Sequence, residues 1–598
     1  MKQRRGHKSK RVRKKNQNEL IGYFQKPKGS HTHCVVDRAS EEKFKIEKSE
    51  LRKAFPGDLV RYHLTPKGWA SIDSVLKSNT ENFIGKITRN GKVTFSSPVG
   101  LEDIVRIKIT GDIPKKISTE TLVEIILTKQ PAARQMGEGF IKRTISEDNI
   151  LEIASALSVS KHDLRTEWNK SIIQESQRLA KTVIATEVNY VDLRNKSFIT
   201  IDGKTAKDFD DAVFSEKNES GDLVLYVAIA DVGKFVTPGS AMDKEAAERG
   251  TSVYFTQKVI PMLPEIISND LCSLRPKEDR YCLVCKTSLS QAGESNEVEF
   301  FQAIINSKSR LTYEKVAEQM KINKFFDSYG QSLKNLVDIY KILKKAKKNR
   351  GALELDIPFY VPQLKGNKIE KFINTSRNEA HLLIEECMLL ANICAAKILM
   401  KAKIPSIYRI HPKPDPLKIK NLEGFARSRK INVTLGDDGK VKELSDLVDI
   451  TKDRKDKETI HMQILQSLSL AVYETEVSEH FALGYPAYTH FTSPIRRYPD
   501  LMVHRALKSL MQTSPNGKIS LDKIRPQRIN KDLYPYNNDS VEEIASLSSI
   551  KEREAEKAER EAINYLKCAY AKDNIGKEFN GVISGVTNFG LFIHLDSI

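Results

Sequence analysis

The sequence predicts a multidomain protein in which small antiparallel β-barrels flank a larger domain of mixed α and β structure. At 598 residues the chain has length for roughly three to five domains, and 40% hydrophobic residues are enough for several cores. Near the N terminus, short apolar runs broken by glycine and proline recur over 19–76 and 80–145, the pattern of short strands wrapping into a barrel. Between 191 and 530 strand runs alternate with long helical periods, and barrel-like strands return only over 572–598.

Residues 1–18 form a basic tail ahead of the first barrel. Lys2, Arg4, Arg5, Lys8, Lys10, Arg11, Arg13, Lys14 and Lys15 carry about half of the net charge of +19, with no acid among the first fifteen residues. Such a run stays solvated and disordered and attracts polyanions weakly. With a pI near 9.3 the chain as a whole points to a polyanionic partner. In 19–76 the strands are Gly22-Tyr-Phe24, Cys34-Val-Val36 and Asp58-Leu-Val-Arg-Tyr62, with a basic turn at 26–29. In 80–145 they are Phe83-Ile-Gly85, Val93-Thr-Phe95, Asp103-Ile-Val-Arg-Ile107 and Thr121-Leu-Val-Glu-Ile-Ile126. Aromatic rings among cations suit base stacking beside phosphate contacts. For Phe24, Phe83 and Phe95, filling a barrel core is an equally good account.

Residues 146–190 read as a polar helical connector. In the large domain, strands are expected at Ser197-Phe-Ile-Thr-Ile201 and Leu223-Val-Leu-Tyr-Val-Ala-Ile229, and an amphipathic helix over 335–344 runs into a basic cluster before Gly351, which can cap it. The most apolar long stretch, 381–400, contains Glu385, Glu386 and Asn392, so it is a buried helix and not a membrane span. The segment 531–571 holds a long helix from about 541, whose run Lys551-Glu-Arg-Glu-Ala-Glu-Lys-Ala-Glu559 is by default a solvated face with i,i+4 pairs. The strand-like end, Gly581-Val-Ile-Ser-Gly-Val-Thr-Asn-Phe589-Gly590-Leu-Phe592, is too short to close a barrel, and the chain is expected to stop inside a domain.

Several classes are disfavoured. The basic start leads to Asn16-Gln-Asn-Glu19 and not to an apolar segment, so no secretory signal is read and a cytoplasmic location is expected. Seven cysteines in so long a chain argue against a disulfide framework. Cys282-Leu-Val-Cys285 fits an alternating strand better than zinc, and His31-Thr-His33-Cys34 fits a surface loop, since no second pair stands at ligand spacing.

The densest chemistry is Asp202-Gly-Lys-Thr-Ala-Lys-Asp208-Phe-Asp210-Asp211, four carboxylates within ten residues. Mutual repulsion raises their pKa values unless a cation offsets it. Mg²⁺ is the natural guest, because it takes hard oxygen donors and often holds substrate phosphate as well. Asp202 ends a strand and Asp208 to Asp211 bend back across from it, so the four can hold one or two ions, two of them about 4 Å apart as phosphodiester hydrolysis requires. A calcium EF-hand is excluded by the missing central glycine and terminal glutamate. The second feature is His490-Phe-Thr-Ser493-Pro-Ile-Arg496-Arg497-Tyr498-Pro499-Asp500. Pro494 and Pro499 are both acceptable first helical residues, which places Arg496 and Arg497 near a helix start that favours phosphate. An arginine fork there can clamp a scissile phosphate. Pairing of the arginines with Asp500 or other surface acids is an equal alternative.

These segments together resemble the RNase II and RNase R exoribonucleases with their RNB catalytic domain. The resemblance rests on Thr200-Ile-Asp202-Gly with Asp208-Phe-Asp210-Asp211-Ala212, Tyr226-Val-Ala-Ile-Ala-Asp231-Val, Arg249-Gly-Thr-Ser-Val-Tyr254 and Val259-Ile-Pro-Met-Leu-Pro-Glu265. It continues through Leu271-Cys-Ser-Leu274, Ile384-Glu-Glu-Cys-Met-Leu-Leu-Ala-Asn392, Tyr408-Arg-Ile-His411 and Thr492-Ser-Pro-Ile-Arg-Arg-Tyr498. It implies two OB-fold, cold-shock-like barrels over 19–76 and 80–145, an RNB domain over 191–530 with mixed α+β structure, a helix closing its channel over 531–571, and the opening strands of an S1 barrel over 572–598.

The resemblance further implies processive 3′-to-5′ hydrolysis of single-stranded RNA to 5′-mononucleotides, by a monomer with no membrane association. Mg²⁺, with Mn²⁺ an admissible substitute, would be held by Asp202, Asp208, Asp210 and Asp211, with Asp210 the most critical for chemistry. Arg496, with Arg497 beside it, matches the phosphate contact. Tyr254 and Glu559 match the two sides of the stack on the terminal nucleotides, and Phe359 a further aromatic at the other end of that stack. The Arg249-Gly-Thr-Ser-Val-Tyr254 form and the basic tail are closer to RNase R, which can enter structured RNA. Against that branch, the S1 barrel is incomplete and a lysine-rich C-terminal tail is missing, whether because the chain is a fragment or because it is truncated. Fewer phosphate contacts predict weaker binding. A non-catalytic RNA-binding protein on the same fold is the rival reading. Four acids facing a polyanion favour the enzyme.

Overall fold

The computed structural model describes residues 20–25, 33–47, 49–78, 80–90, 93–99, 105–114, 117–119, 121–132, 135–146, 148–185, 187–355, 357, 359–436, 440–526, 529–588, 590–595 and 598. The basic tail, the turn at 26–29, His31 and Phe589 lie outside them, as does part of the strand expected at Asp103. The chain divides into two compact units, 1–164 with the short pieces 366–368 and 564–566, and 165–365 with 369–563 and 567–598.

The first unit holds two β structures. Strands β1 (Leu20–Gln25), β2 (Cys34–Asp37), β3 (Lys43–Lys45), β4 (Leu59–Leu64) and β5 (Ala70–Lys77) form an antiparallel sheet in the order β3-β2-β1-β4-β5. Gly22 lies in the middle strand, where a Cβ would fall 2.5 Å from the Val36 carbonyl oxygen, so β1 can pass that close only without a side chain. Strands β6 (Asn82–Asn90), β7 (Val93–Pro98), β8 (Ile107–Ile109), β9 (Leu122–Lys129) and β10 (Gly137–Thr144) close into a barrel in the order β10-β8-β7-β6-β9. It is not wholly antiparallel, because β10 returns beside β8 in the same direction. Alternation places Phe24 with Val35, Val60 and Ile72 in one core and Phe83 with Ile87, Ile107 and Ile125 in the other. Core filling therefore accounts for Phe24 and Phe83, while Phe95 is half-buried.

The helical connector expected over 146–190 holds two helices. Helix α1 (Ile150–Lys161) starts at Asn149, whose side chain accepts from the Glu152 N–H, and belongs to the first unit; α2 (Lys170–Leu179) belongs to the second.

The second unit is built on β11 (Val191–Asp192), β12 (Ile199–Asp202), β13 (Asp211–Lys217), β14 (Leu223–Ala230), helix α3 (Ala241–Arg249), the small hairpin β15 (Val253–Tyr254) and β16 (Val259–Ile260), then β17 (Asp279–Leu289), β18 (Ser295–Asn306) and β19 (Ser309–Thr312). Helices α4 (Tyr313–Ile322) and α5 (Gly330–Arg350), hairpin β20 (Tyr360–Lys365) and β21 (Lys368–Asn374), and helix α6 (Glu379–Ala402) follow. Beyond them come β22 (Tyr408–Ile410), helices α7 (Pro416–Ser428), α8 (Val441–Thr451) and α9 (Lys457–Ser467), β23 (Val472–Glu474), α10 (Tyr498–Gln512), β24 (Lys518–Ser520), α11 (Asn538–Asp573) and hairpin β25 (Gly581–Thr587) and β26 (Gly590–Leu595).

The main sheet runs β11-β18-β17-β14-β13-β12-β19 with β24 on β18, and it is mixed: β12 lies parallel to β19 and the central pairs are antiparallel. Helices α5, α6 and α10 cover it, and their apolar faces join Val227, Ile229, Val284 and Phe300 in one large core. Helix α5 ends as expected at Gly351 (φ 71°), with Lys347, Lys348 and Arg350 in its last turn, where the helix dipole favours cations. Helix α6 is buried nearly all round, and its buried Glu386 is offset by Lys347 at 3.2 Å. Cys282 and Cys285 are unpaired, buried strand residues of β17. Among the described residues no helix is long and apolar enough to cross a membrane.

Candidate active site

Antiparallel pairing of β12 with β13 (Ile199 opposite Val213) puts Asp202 at the end of one strand and Asp211 at the start of the next. The segment between them doubles back, so the four aspartates share one cavity of about 520 Å³ with Tyr254, Tyr313, Glu385, Asn392, Tyr488, Arg496 and Arg497. The loop is pinned from outside. Ser273 Oγ accepts the Phe209 N–H at 3.0 Å and donates to the Lys207 carbonyl at 2.7 Å, and the Leu274 N–H donates to the Phe209 carbonyl at 3.0 Å.

Asp210 is the most enclosed of the four, 5% exposed. One of its oxygens accepts the Ile495 N–H at 2.9 Å and the other lies 3.4 Å from Arg496 Nε. Burial raises its pKa well above the carboxylate range, against the pull of Arg496. Asp202 is pushed up to about 7, by burial first and then by the charges of Asp210 and Asp208. Asp211 is pushed up to about 8, by burial and then Asp202. Four carboxylates facing one arginine cannot all ionise without further positive charge, and these hard oxygens are the donors a divalent cation such as Mg²⁺ takes. Among the described residues no three acid, histidine or cysteine side chains stand as a closed set of ligands. Asp208 Oδ2 accepts from the Tyr254 hydroxyl at 3.0 Å and Asp210 Oδ1 accepts the Ile495 N–H at 2.9 Å, which leaves each carboxylate further lone pairs for a cation. The chemistry of the set fits a metal ion.

The two arginines part company. Pro494 opens a turn and not a helix: the Ser493 carbonyl accepts from the N–H groups of Arg496 (3.3 Å) and Arg497 (3.0 Å), and α10 begins at Tyr498 with Pro499 second. Arg497 Nη2 donates to Asp500 Oδ1 at 2.8 Å, and the same oxygen accepts the Ser493 N–H at 2.8 Å. Asp500 is fully buried, so Arg497 is a brace for the turn as well as part of the cavity wall. Arg496 keeps a side chain 41% exposed.

Tyr254 reaches the cavity from β15. Helix α3 ends at Gly250 (φ 69°), whose carbonyl accepts the Tyr498 N–H, and Thr251 and Ser252 both donate to the Arg496 carbonyl. The Arg249-Gly-Thr-Ser-Val-Tyr254 segment is thereby laid along the arginine turn. The Tyr254 N–H donates to Glu559 Oε1 at 2.7 Å, which brings α11 to the same place, and burial raises the Glu559 pKa.

Of the residues singled out from sequence, Asp202, Asp208, Asp210, Asp211, Tyr254, Arg496 and Arg497 line this cavity, and Glu559 touches Tyr254. Phe359 stands elsewhere. It is 60% exposed and lines a second cavity of about 800 Å³ with Met462, Ile563, Lys567 and Phe592. Sequence reasoning missed Tyr313, whose ring is stacked on His381 at 3.8 Å, as well as Tyr488 and the anchor Ser273. Ser273 lies within the Leu271-Cys-Ser-Leu274 motif; a tyrosine that reaches the site from the first turn of α4 carries no local pattern.

The model of the RNB domain matches residues 190–513. Ribonuclease R of Vibrio parahaemolyticus is 38% identical over 487 residues, covering 80% of this chain and 57% of that protein. The chain thus spans a little over half the length of that curated relative. Among solved structures, Mycoplasma genitalium RNase R in complex with ribose-methylated single-stranded RNA is similar, with a TM-score of 0.81 at 26% identity over 96% of this chain and 90% of that one. Yeast Ssd1, described as a pseudonuclease, shares the fold with a TM-score of 0.62 at 17% identity, covering 95% of this chain and 76% of that one.

Proposed function

Because the chain belongs to the RNase II and RNase R family, defined by its RNB domain, we propose that it is an exoribonuclease that hydrolyses single-stranded RNA from the 3′ end and releases 5′-mononucleotides. One observation carries the reading: Arg496, 3.4 Å from Asp210, faces the same cavity as all four aspartates. The similar Mycoplasma protein was solved with single-stranded RNA, and a basic chain suits the same partner.

In this reading Arg496 grips the scissile phosphate and offsets the charge that grows in the transition state. The turn braced by Asp500 and Arg497 holds its main chain. Tyr254 offers its ring to the terminal base, and Glu559 holds the Tyr254 main chain so that the ring stays in place. Asp202, Asp208, Asp210 and Asp211 would hold Mg²⁺. When bound, such an ion supplies Lewis-acid polarisation of phosphate oxygens and a water acidic enough to attack at neutral pH. Phe359 serves RNA farther from the cut, in the second cavity.

A fold shared with a pseudonuclease does not decide between cutting and holding RNA. The acids favour cutting, because a pure binder gains little from four carboxylates turned toward a polyanion. Asp210→Asn should abolish mononucleotide release from a 3′-single-stranded RNA and leave RNA binding within a few-fold. No release by the unaltered protein with Mg²⁺, or full activity of the variant, would reject the assignment. A 3′-tailed duplex in the same assay tells whether structured RNA is entered.

A further inference from the structure

We propose that Arg310 is a positioning residue that holds the aspartate loop in its metal-binding shape from behind; the inference rests on the metal-dependent reading above. Strand β19 runs parallel to β12 with Arg310 opposite Thr200 and Thr312 opposite Asp202. From there the Arg310 side chain reaches past the end of β12. Its Nη2 donates to the Gly203 carbonyl at 2.8 Å and to the Lys204 carbonyl at 2.6 Å, the first two residues after Asp202. Its guanidinium lies 5.3 Å from the centre of the Phe209 ring, and Phe209 sits between Asp208 and Asp210. Arg310 Nε is enclosed with no hydrogen-bond partner, and among the described residues no carboxylate forms an ion pair with the guanidinium, so its hydrogen bonds go to main-chain carbonyls. One planar cation therefore ties the turn that leaves the first aspartate to the residue between two others. Ser273 fastens the same stretch at Lys207 and Phe209.

The need for such a clasp follows from charge. Four carboxylates in one loop repel one another and drive the loop open, and the cavity keeps its shape only if the main chain is held. Lysine is no equivalent here, since its ammonium is a compact, strongly hydrated charge on a flexible stem, whereas the Arg310 guanidinium bonds two carbonyls and lies beside the Phe209 ring. The opposing expectation is that Arg310 acts through charge alone, by partly neutralising Asp202. The two accounts differ in sign. A mere counter-charge competes with a metal ion, so its removal tightens metal binding; loss of a clasp loosens it.

The test is direct Mn²⁺ binding, read from the loss of the free-ion electron paramagnetic resonance signal, on the unaltered protein, Arg310→Lys and Arg310→Met, with Phe209→Leu as a milder variant that keeps Arg310. Thermal melting confirms that each variant is folded. Both Arg310 variants should bind Mn²⁺ about tenfold more weakly or worse, the usual scale for lost outer-shell support of metal ligands, with Phe209→Leu in between. Their kcat should recover at high Mg²⁺ while KM for RNA stays unchanged. Equal or tighter Mn²⁺ binding by Arg310→Met, or Arg310→Lys indistinguishable from the unaltered protein, overturns the positioning role. No Mn²⁺ binding by the unaltered protein overturns the metal-dependent reading itself, and this inference with it.

Discussion

Lowering the pH from 9 to 6 should weaken divalent metal binding by about a thousandfold, because the ion must displace protons from two of the acids that receive it. Asp202 holds its proton to about 7 and Asp211 to about 8. At pH 6 ionisation of the first costs about one unit and of the second about two, together about 4 kcal/mol at roughly 1.4 kcal/mol per unit. At pH 9 both are already ionised. Calorimetric titration of Mg²⁺ or Mn²⁺ in two buffers of different ionisation heat counts the protons: at least two released per ion at pH 6, with Asp210, whose pKa is also raised, adding to them, and fewer at pH 9. The same shift acts in the opposite direction on the metal-free fold. An aspartate whose folded pKa stands above its ordinary 3.8 binds its proton more tightly when folded. The contribution of these two groups to the metal-free fold is therefore fully present below about pH 4 and falls by up to about 1.4 kcal/mol per pH unit per group until each reaches its folded value, and Mg²⁺ restores what is lost. Metal affinity that is flat from pH 6 to 9, with no proton release, refutes the claim that burial and repulsion keep these acids protonated.

Asp500→Ala should cost about 3–5 kcal/mol in denaturant unfolding, the usual effect of leaving a buried charge without its partner, since Arg497 and the Ser493 N–H both lose their acceptor. A loss under about 1 kcal/mol, below that range, would mean that the brace is not structural. Gly250→Ala should destabilise by at least about 1–2 kcal/mol, as positive φ disfavours any L side chain, and its Cβ would meet Lys551 Cβ at 2.7 Å. An unchanged melting temperature would sink that account of the α3 terminus.

Local pattern carried most of the legible structure. Gly351 after a basic run announced the end of α5, and the acids within 381–400 marked α6 as a core helix. The aspartate loop was legible because four acids at such short spacing repel one another strongly, and a bound cation is the simplest thing that offsets the repulsion. By residue pattern alone Arg496 and Arg497 were indistinguishable, and only the family resemblance singled out Arg496. Which of them braces and which faces the cavity depends on the direction taken by the Ser493 turn, and Asp500 sets that from the next helix. Tyr254, Glu559 and Phe359 were reached only through family resemblance, since a tyrosine, a glutamate on a charged helix and a lone phenylalanine have no pattern of their own. Arg310 and Ser273 were invisible for a further reason. Both act on main-chain atoms, and main-chain atoms are the same in every sequence.

The hydrogen bond between Tyr254 and Glu559 joins residues 305 positions apart, and that between Ile495 and Asp210 spans 285. Translation delivers the acids first, the arginine turn much later and Glu559 last. At about 5–20 residues per second, roughly 15–60 s separate the emergence of Tyr254 from that of its partner. Until Glu559 emerges, the Tyr254 main chain lacks the carboxylate that holds it, so this wall of the cavity is completed only after nearly the whole chain has been made.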